Sequence, residues 1–233
     1  MPSNWNKGLT KDTNLSVRKI SETMKRRKID NFRVWRGKMK SLGRIKSVYP
    51  PLEKNGDLAE LIGVVLGDGH ICVYPRSEEL RLVSNSNNSG FIKRYARLME
   101  GIFQKKPYVI PSKSANCTKI GFYEKYIRKR IGVPSGARKN LKIKVPEWIF
   151  ENEKFIIRYL RGLYEAEGSF CVHKPTSTYK FLFSNRNQSM LNNVYNLMRL
   201  LGFHPHRSQH QIQISKKEEV YRAIEVLGFR NYK

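Results

Sequence analysis

Residues 61–69 read LIGVVLGDG and residues 160–168 read LRGLYEAEG, so two related stretches lie about 100 positions apart. Within each stretch small residues recur four positions apart: Gly63 and Gly67, then Gly162 and Ala166. Residues at that spacing share one helix face, and small side chains on it let two backbones approach closely. The pair of stretches therefore predicts two helices packed side by side along a tight seam.

An acid stands at the end of each predicted helix, Asp68 in the first and Glu167 in the second. The helix dipole is negative at that end, and two carboxylates brought together there repel each other. A divalent cation between them offsets both penalties, with the carbonyl groups of Gly67 and Ala166 as further ligands. Because Mg²⁺ prefers oxygen ligands, the sequence predicts a Mg²⁺ site at this end of the seam.

The predicted elements around the two stretches follow the same order, which indicates a tandem duplication with pseudo-twofold symmetry. In the first repeat, hydrophobic spacing predicts helices over 58–67, 88–103 and 126–131 and strands over 71–74, 80–84, 108–110 and 119–123. In the second, it predicts helices over 155–166, 189–201 and 218–227 and strands over 170–173, 179–184, 206–208 and 211–215. Gly69 and Gly168 should let the chain turn sharply from each motif helix into a strand. The predicted fold class is therefore α+β.

The N-terminal part differs in composition from the rest of the chain. Residues 1–50 contain 14 Lys or Arg against 3 Asp or Glu, and two short helices are expected over 15–27 and 32–39. Prolines at positions 50 and 51 then mark a stiff boundary. We expect a basic DNA-binding extension over 1–50, a first repeat with its linker over 51–145, and a second repeat over 146–233.

Charge is the strongest global signal. The chain carries 45 Lys and Arg against 19 Asp and Glu, a formal net charge of +26. A field that positive attracts a polyanion, and nucleic acid is the expected partner. There is no run of 18 or more apolar residues and no apolar signal region at the N-terminus. We therefore expect no membrane association and no secretion, and an intracellular location with the DNA, in the cytoplasm, nucleoid or organelle matrix.

The two stretches resemble the paired motifs of the LAGLIDADG homing endonucleases, in the single-chain form with two repeats. The segment KVPEWI at residues 144–149, before the second motif helix, is also typical of that family. The first stretch departs from the usual motif, because Leu66 stands where an acid is often found; that position is not the metal ligand. Residues 6–21 resemble a small modular DNA-binding repeat that accompanies many intron-encoded nucleases.

The resemblance implies two repeats, each a helix with a curved antiparallel sheet, that form a DNA-binding saddle joined by the motif helices. It also implies a monomer that hydrolyses phosphodiester bonds in both strands of double-stranded DNA. Two or more Mg²⁺ ions, with Mn²⁺ as a substitute, would be shared between Asp68 and Glu167. Because the chain starts with Met1 and ends in Lys233 without the splice-junction residues of an intein, we expect a free-standing or intron-encoded gene and intron homing.

Further site residues follow from the resemblance and from strand alternation. Related enzymes place a polar and a basic residue at the end of the second strand of each repeat, which here implies catalytic roles for Asn85, Asn185 and Arg186. The alternative is that these Asn residues form turns or helix N-caps. Outward strand positions and nearby cations suit contacts to bases or phosphates: Arg76, Arg81, Lys119, Lys142, Lys144, Lys174, Gln211, Gln213 and Ser215. Lys142 or Lys144 is also a candidate for a cation near the reacting phosphate.

Two other functions are compatible with the sequence. An intron maturase of the same fold would bind intron RNA with a similar charge and the same motif pair. A DNA-binding regulator derived from a nuclease would be expected to have lost one acid, and both are present here.

Overall fold

The computed structural model describes residues 6–30, 32–43 and 46–232, and it divides into two units, Met1–Tyr49 and Pro50–Lys233. The first unit contains α1 (Leu15–Arg26) and α2 (Arg33–Ser41). The side chain of Asn14 caps α1 by accepting from the backbone N–H of Ser16 and Val17, which satisfies donors that the first helical turn leaves open. No residue of either helix is buried within this unit.

The second unit contains two successive sets of helices and strands. The first set is α3 (Gly56–Gly67), β1 (His70–Val73), β2 (Glu78–Asn85), α4 (Ser89–Phe103), β3 (Tyr108–Pro111), β4 (Cys117–Glu124) and α5 (Ile127–Ile131). The second is α6 (Glu153–Glu167), β5 (Gly168–His173), β6 (Thr178–Ser184), α7 (Gln188–Leu200), β7 (His206–Arg207), β8 (Gln211–Ile214) and α8 (Lys217–Leu227). Short 3-10 helices occupy Glu147–Glu151 and Lys174–Thr176. The predicted order of elements and the α+β class are confirmed.

Each set forms one four-stranded antiparallel sheet, with strand order β1-β2-β4-β3 in the first and β5-β6-β8-β7 in the second. Leu80 and Leu82 of β2 are fully buried with Ile120 of β4. Because successive strand residues point to opposite faces, the residues between them lie on the other, more open face. Each sheet therefore has one face in the core and one available for a partner.

The motif helices α3 and α6 pack against each other as closely as the small residues predict. A Cβ on Gly63 would lie 2.2 Å from the carbonyl oxygen of Tyr159, and one on Gly162 would lie 2.1 Å from that of Glu60. Beside Gly67 the nearest atom is the Cβ of Ala166, at 2.4 Å from an added Cβ. These contacts confirm the tight seam.

Gly69 and Gly168 follow the motif helices, and the chain enters β1 at His70 and β5 at Gly168, the sharp turns that were predicted. Neither adopts a positive φ. Instead, the chain folds back against the last turn of its own helix. An added Cβ would lie 2.5 Å from the Cα of Val65 at the first glycine and 2.3 Å from the carbonyl oxygen of Tyr164 at the second. Glycine is required at both positions because there is no room for a side chain, and not because the backbone is left-handed.

A buried ion cluster joins the two repeats along the seam. Glu60 of α3 has no exposed surface. It accepts two hydrogen bonds from the guanidinium of Arg94, at 2.6 and 2.7 Å, and one from Nε of Arg158 on α6, at 2.6 Å. Such paired, charge-assisted bonds are strong and directional, so the cluster fixes how α3 and α6 sit against each other.

In the part of the chain that the structure describes, no helix has both the length and the apolar character needed to cross a membrane.

Candidate active site

The two motif acids meet where α3 and α6 end. Asp68 is the residue at which α3 stops, and Glu167 is the last residue of α6. The seam holds these ends together, because a Cβ on Gly67 would lie 2.4 Å from the Cβ of Ala166 and 3.2 Å from the Cγ of Glu167. The sequence placed both acids at helix ends, and the packing brings the two ends side by side.

The surroundings of both carboxyl groups disfavour their charged forms. Burial against the protein, and then the negative charge of Glu167, raise the pKa of Asp68 to about 6, although its outer side remains exposed. Burial also raises the pKa of Glu167 above its usual value. Two carboxyl groups in a shared, partly dry environment resist ionising together. A bound cation would remove that penalty.

A cavity of about 480 Å³ opens beside this pair of helix ends. Its walls include Glu167 and the backbone of Gly67, together with three cationic side chains: Arg138, Lys139 and Arg186. The side chain of Asn185 also lines it and donates from Nδ2 to Oε1 of Glu167, at 3.3 Å. An acid and several cations thus share one polar cavity, which suits a phosphate group held next to a metal ion.

Arg138 is a site residue that sequence reasoning missed. Its guanidinium donates to the carbonyl oxygens of Leu66, at 3.0 Å, and Gly69, at 2.6 Å. These carbonyls surround the C-terminal end of α3, where a positive charge is favourable. Burial lowers the pKa of Arg138, yet an arginine stays protonated at any physiological pH. The cation therefore braces the backbone on both sides of Asp68.

The linker that carries Arg138 is itself tied to the second repeat. The side chain of Asn187 donates from Nδ2 to the carbonyl oxygens of Arg138, at 2.5 Å, and Leu141, at 2.8 Å. Its Oδ1 accepts from the N–H of Met190 and so caps α7. One asparagine thus connects the linker, the start of α7 and the wall of the cavity. The sequence predicted a linker at the end of the first repeat but gave no position for this contact.

Asn85 and Asn185, the two asparagines expected near the acids, both form turns. The Oδ1 atom of each accepts a hydrogen bond from the backbone N–H two residues later, at 2.9 and 2.8 Å. The N-caps are Asn88 and Asn187 instead. Asn185 also reaches Glu167, which combines turn formation with a contact in the site.

The other predicted site residues lie at several places. Lys142 and Lys144 line a second cavity of about 390 Å³, next to Ile62 and Pro146, and are absent from the lining of the acid-containing one. Arg186 is exposed at the acid-containing cavity. Exposed or half-buried positions hold the remaining candidates, of which Gln211 also lines the acid-containing cavity: Arg76, Arg81, Lys119, Lys174, Gln211, Gln213 and Ser215. Ile212 and Ile214 are buried between the last three, as the alternation predicts.

The donor set fits Mg²⁺ rather than a softer metal. Among the described residues there is no group of three or more His, Cys, Asp and Glu side chains able to hold a metal ion. What the helix ends offer is two carboxylates with neighbouring backbone carbonyls. Mg²⁺ commonly binds through one or two carboxylates plus substrate phosphates and retains several waters. A site completed by a phosphate is consistent with this geometry.

Comparison with known proteins places the chain by its fold. No protein-family model matches it. It is 27% identical over 121 residues to glutamine–fructose-6-phosphate aminotransferase of Methanocaldococcus jannaschii, covering 51% of this chain and 10% of that protein. It is 29% identical over 143 residues to the tRNA-splicing ligase RtcB of Pyrococcus furiosus, covering 53% of this chain and 14% of that protein. The chain thus spans a small fraction of these curated relatives.

Solved structures show the likeness more completely. A variant of the homing endonuclease I-DmoI in complex with its target DNA and Mn superposes with a TM-score of 0.50 at 16% identity, covering 76% of this chain and 98% of that one. The N-terminal LAGLIDADG domain of DUF199/WhiA superposes with a TM-score of 0.50 at 17% identity, covering 74% of this chain and 81% of that one. At these identities the likeness shows the fold, and the fold is that of the LAGLIDADG proteins.

Proposed function

We propose that this chain, which has the LAGLIDADG fold, is a site-specific double-strand DNA endonuclease that hydrolyses phosphodiester bonds with Mg²⁺. The observation that carries the proposal is the meeting of Asp68 and Glu167, one from each repeat, beside a cavity with three cationic side chains. The fold alone does not decide between cutting and binding. The two acids favour cutting, because a protein that only bound DNA would gain nothing from two crowded carboxylates facing a polyanion.

Each residue at the site has a role in this proposal. Asp68 and Glu167 hold the metal ions, with the carbonyls of Gly67 and Ala166 as further oxygen donors. A bound Mg²⁺ supplies Lewis acidity and an activated water for phosphodiester hydrolysis. Asn185 orients the carboxylate of Glu167, and Asn85 holds the equivalent turn of the first repeat. Arg186 and Lys139 stabilise charge on the phosphate, while Arg138 fixes the backbone around Asp68.

The substrate assignment rests on charge and on the open faces of the two sheets. A net charge of +26 favours a polyanion, and I-DmoI, of the same fold, was crystallised with its target DNA and Mn. We assign double-stranded DNA as the partner and Mn²⁺ as an alternative metal. A monomer is sufficient, because one chain carries both acids. The proposed location is with the DNA inside the cell, and the proposed biological role is intron homing.

The assignment extends to the domain organisation. Residues 1–50 form a basic DNA-binding extension, and residues 51–145 and 146–233 form the two repeats. The phosphate-contacting cations proposed in the repeats are Arg76, Lys119, Lys142, Lys144 and Lys174. Gln211, Gln213 and Ser215 offer hydrogen bonds to base edges from the second sheet.

A selection followed by cleavage tests the proposal. The full chain is incubated with double-stranded oligonucleotides that have a randomised centre, bound DNA is amplified, and the enriched site is then challenged with Mg²⁺. Asp68→Asn and Glu167→Gln should each abolish cutting while retaining binding. Glu100→Gln, a change at an exposed acid of α4, is the matched control and should cut like the unmodified chain.

Two outcomes would overturn the assignment. Cutting by both site variants at the unmodified rate would remove Asp68 and Glu167 from the chemistry. An unmodified chain that never cuts, but binds the RNA of a surrounding intron more tightly than any DNA, would instead be an intron maturase.

A further inference from the structure

An acid lies on the open face of the first sheet, where a DNA-binding surface should be basic. Glu79 is on β2, opposite Cys72 of β1 and Tyr123 of β4. Its neighbours along the strand, Glu78 and Leu80, point to the other face. Strands β5 to β8 of the second sheet contain no Asp or Glu. The carboxylate is therefore a feature of one half of the molecule.

Three tyrosines close over this carboxylate. Although Glu79 is on the open face, only 4% of its surface is exposed. The hydroxyl of Tyr108 donates to its Oε1 at 2.5 Å, and that of Tyr74 donates to its Oε2 at 3.1 Å. The ring of Tyr123 completes the cover, with centroids 5.9 Å from Tyr74 and 6.2 Å from Tyr108. The four residues form what we call the tyrosine cage.

The cage keeps Glu79 ionised. Burial by itself raises the pKa of a carboxyl group, but the hydrogen bonds from Tyr108 and Tyr74 and the charge of Arg81 outweigh it, and the pKa of Glu79 falls below its usual value. The bond to Glu79 raises the pKa of Tyr74 to about 12, so that hydroxyl stays a donor. A fixed negative charge thus lies just under the surface.

Glycine at position 121 makes the cage possible. Tyr108 belongs to β3, and Glu79 belongs to β2, with β4 between them. The tyrosine crosses β4 over Gly121, where an added Cβ would lie 2.7 Å from its hydroxyl oxygen and 2.3 Å from the carbonyl oxygen of Leu80. Any side chain there would separate Tyr108 from Glu79. The cage therefore joins residues of β2, β3 and β4 with Tyr74, which follows β1.

Arg81 lies beside the cage with an unused donor. It is two residues after Glu79 on the same face of β2, opposite His70 and Gly121. Its Nε is buried and has no hydrogen-bond partner among the described residues. Leaving a buried guanidinium donor unpaired is costly. Because this donor is closed off from solvent in the structure, the side chain is expected to turn outward when a ligand supplies an acceptor. The fork of an arginine matches the O6 and N7 acceptors of guanine.

The charges around Arg81 favour a base over a phosphate as its ligand. A buried carboxylate weakens the attraction of a neighbouring arginine for any phosphate, whatever the DNA sequence. It still attracts the guanidinium of Arg81, two residues away on the same face of β2, so a directional contact to a base survives while the general attraction is reduced. In the second repeat, Cys171 pairs with Lys180 and Ser169 pairs with Leu182 across the sheet. Lys180 corresponds to Glu79 of the first repeat, and Leu182 corresponds to Arg81. That half therefore has neither the acid nor the arginine.

We propose that the tyrosine cage around Glu79 positions Arg81 to read a guanine in the half-site bound by the first repeat. The inference rests on the proposed function, since it requires specific binding of double-stranded DNA. It makes Glu79 a positioning residue, Arg81 the specificity-determining residue, and the two half-sites chemically unlike.

The experiment is the same selection with randomised double-stranded DNA, performed in EDTA so that bound DNA stays uncut. The unmodified full chain should enrich one G·C pair that Arg81→Ala and Arg81→Lys no longer enrich, with discrimination at that pair reduced on the order of tenfold. Lysine keeps the charge and loses the paired donors. Glu79→Gln and Tyr108→Phe should weaken the same pair and leave the rest of the site unchanged.

Lys119→Ala is the matched control, because Lys119 is an exposed cation of β4 on the same face of the sheet as Arg81. It should lower affinity for all sequences and reduce the salt dependence by about one phosphate contact, with the enriched site unaltered. If both Arg81 variants enrich the same complete site as the unmodified chain, the inference is wrong and the proposed function still stands. An unmodified chain that enriches no sequence overturns both.

Discussion

Gly162 is the position at which the helix seam is most easily tested. An alanine Cβ there would lie 2.1 Å from the carbonyl oxygen of Glu60 and 2.7 Å from the backbone N of Val64. Both neighbours are backbone atoms of α3, so no rotamer change relieves the clash. Since ordinary contact begins at 3.4 Å, that carbonyl oxygen would have to retreat by about 1.3 Å.

The expected cost of Gly162→Ala follows from that displacement. Alanine gains about 1 kcal/mol over glycine within a helix, while overpacking a well-packed interface costs about 1–3 kcal/mol and sometimes more. Because both clashing atoms are backbone atoms, the cost should lie in the upper part of that range, and we expect a net loss of up to about 2 kcal/mol in the free energy of unfolding. The same shift separates Asp68 from Glu167, and a misplacement of about 1 Å can cost on the order of 100-fold in rate.

Urea unfolding and single-turnover cleavage of the selected site measure the two effects. Gly101→Ala is the control, because Gly101 is also helical but has no neighbour within 4 Å of an added Cβ. It should gain about 0.5–1 kcal/mol in stability and cut normally. If Gly162→Ala proved as stable as Gly101→Ala and cut at the same rate, the tight seam would not be what aligns the acids.

Two further predictions concern buried charge. Burial and the nearby Glu167 raise the pKa of Asp68 from its usual 3.8 to about 6, so the metal-free fold loses stability as the pH rises through that interval. Melting in EDTA should show Asp68→Asn above the unmodified chain at pH 7, with the difference shrinking towards pH 4; a less stable variant at pH 7 would contradict the crowded acids. Glu60→Gln leaves the guanidinium of Arg94 without its carboxylate and leaves Arg158 with Asp57 alone, which should lower the free energy of unfolding by about 3 kcal/mol. A loss below about 1 kcal/mol in urea would show that these cations are well solvated.

The sequence predicts those features that repeat along the chain. The second motif helix was expected over 155–166 and is found at Glu153–Glu167, because its apolar spacing is a local signal. Small residues four apart predicted the seam for the same reason. Alternation in β8 predicted that Ile212 and Ile214 face the core. In each case the pattern records which side of one element is buried.

Contacts made by irregular backbone produce no such pattern in the sequence. Arg138 lies in a linker without periodicity, and its partners are carbonyl oxygens of Leu66 and Gly69. A carbonyl is present at every position, so nothing in the sequence marks these two. The tyrosine cage is equally hidden, because Tyr108 and Glu79 are brought together only by the order of strands and by the open space over Gly121.

Whether the two repeats carry the same or different residues at equivalent positions depends on what those positions contact. At the seam, α3 and α6 face each other, and a Cβ on Gly63 or Gly162 would strike the backbone of the opposite helix. Neither helix tolerates a side chain there, so both repeats carry the same small residues and deliver matching acids. The open sheet faces meet no counterpart, and Glu79 can stand where the second repeat has Lys180 at no cost to the seam. On the proposed function, cutting two strands requires equivalent acids, whereas reading an asymmetric site requires unlike surfaces, and the fold places these two demands on different residues.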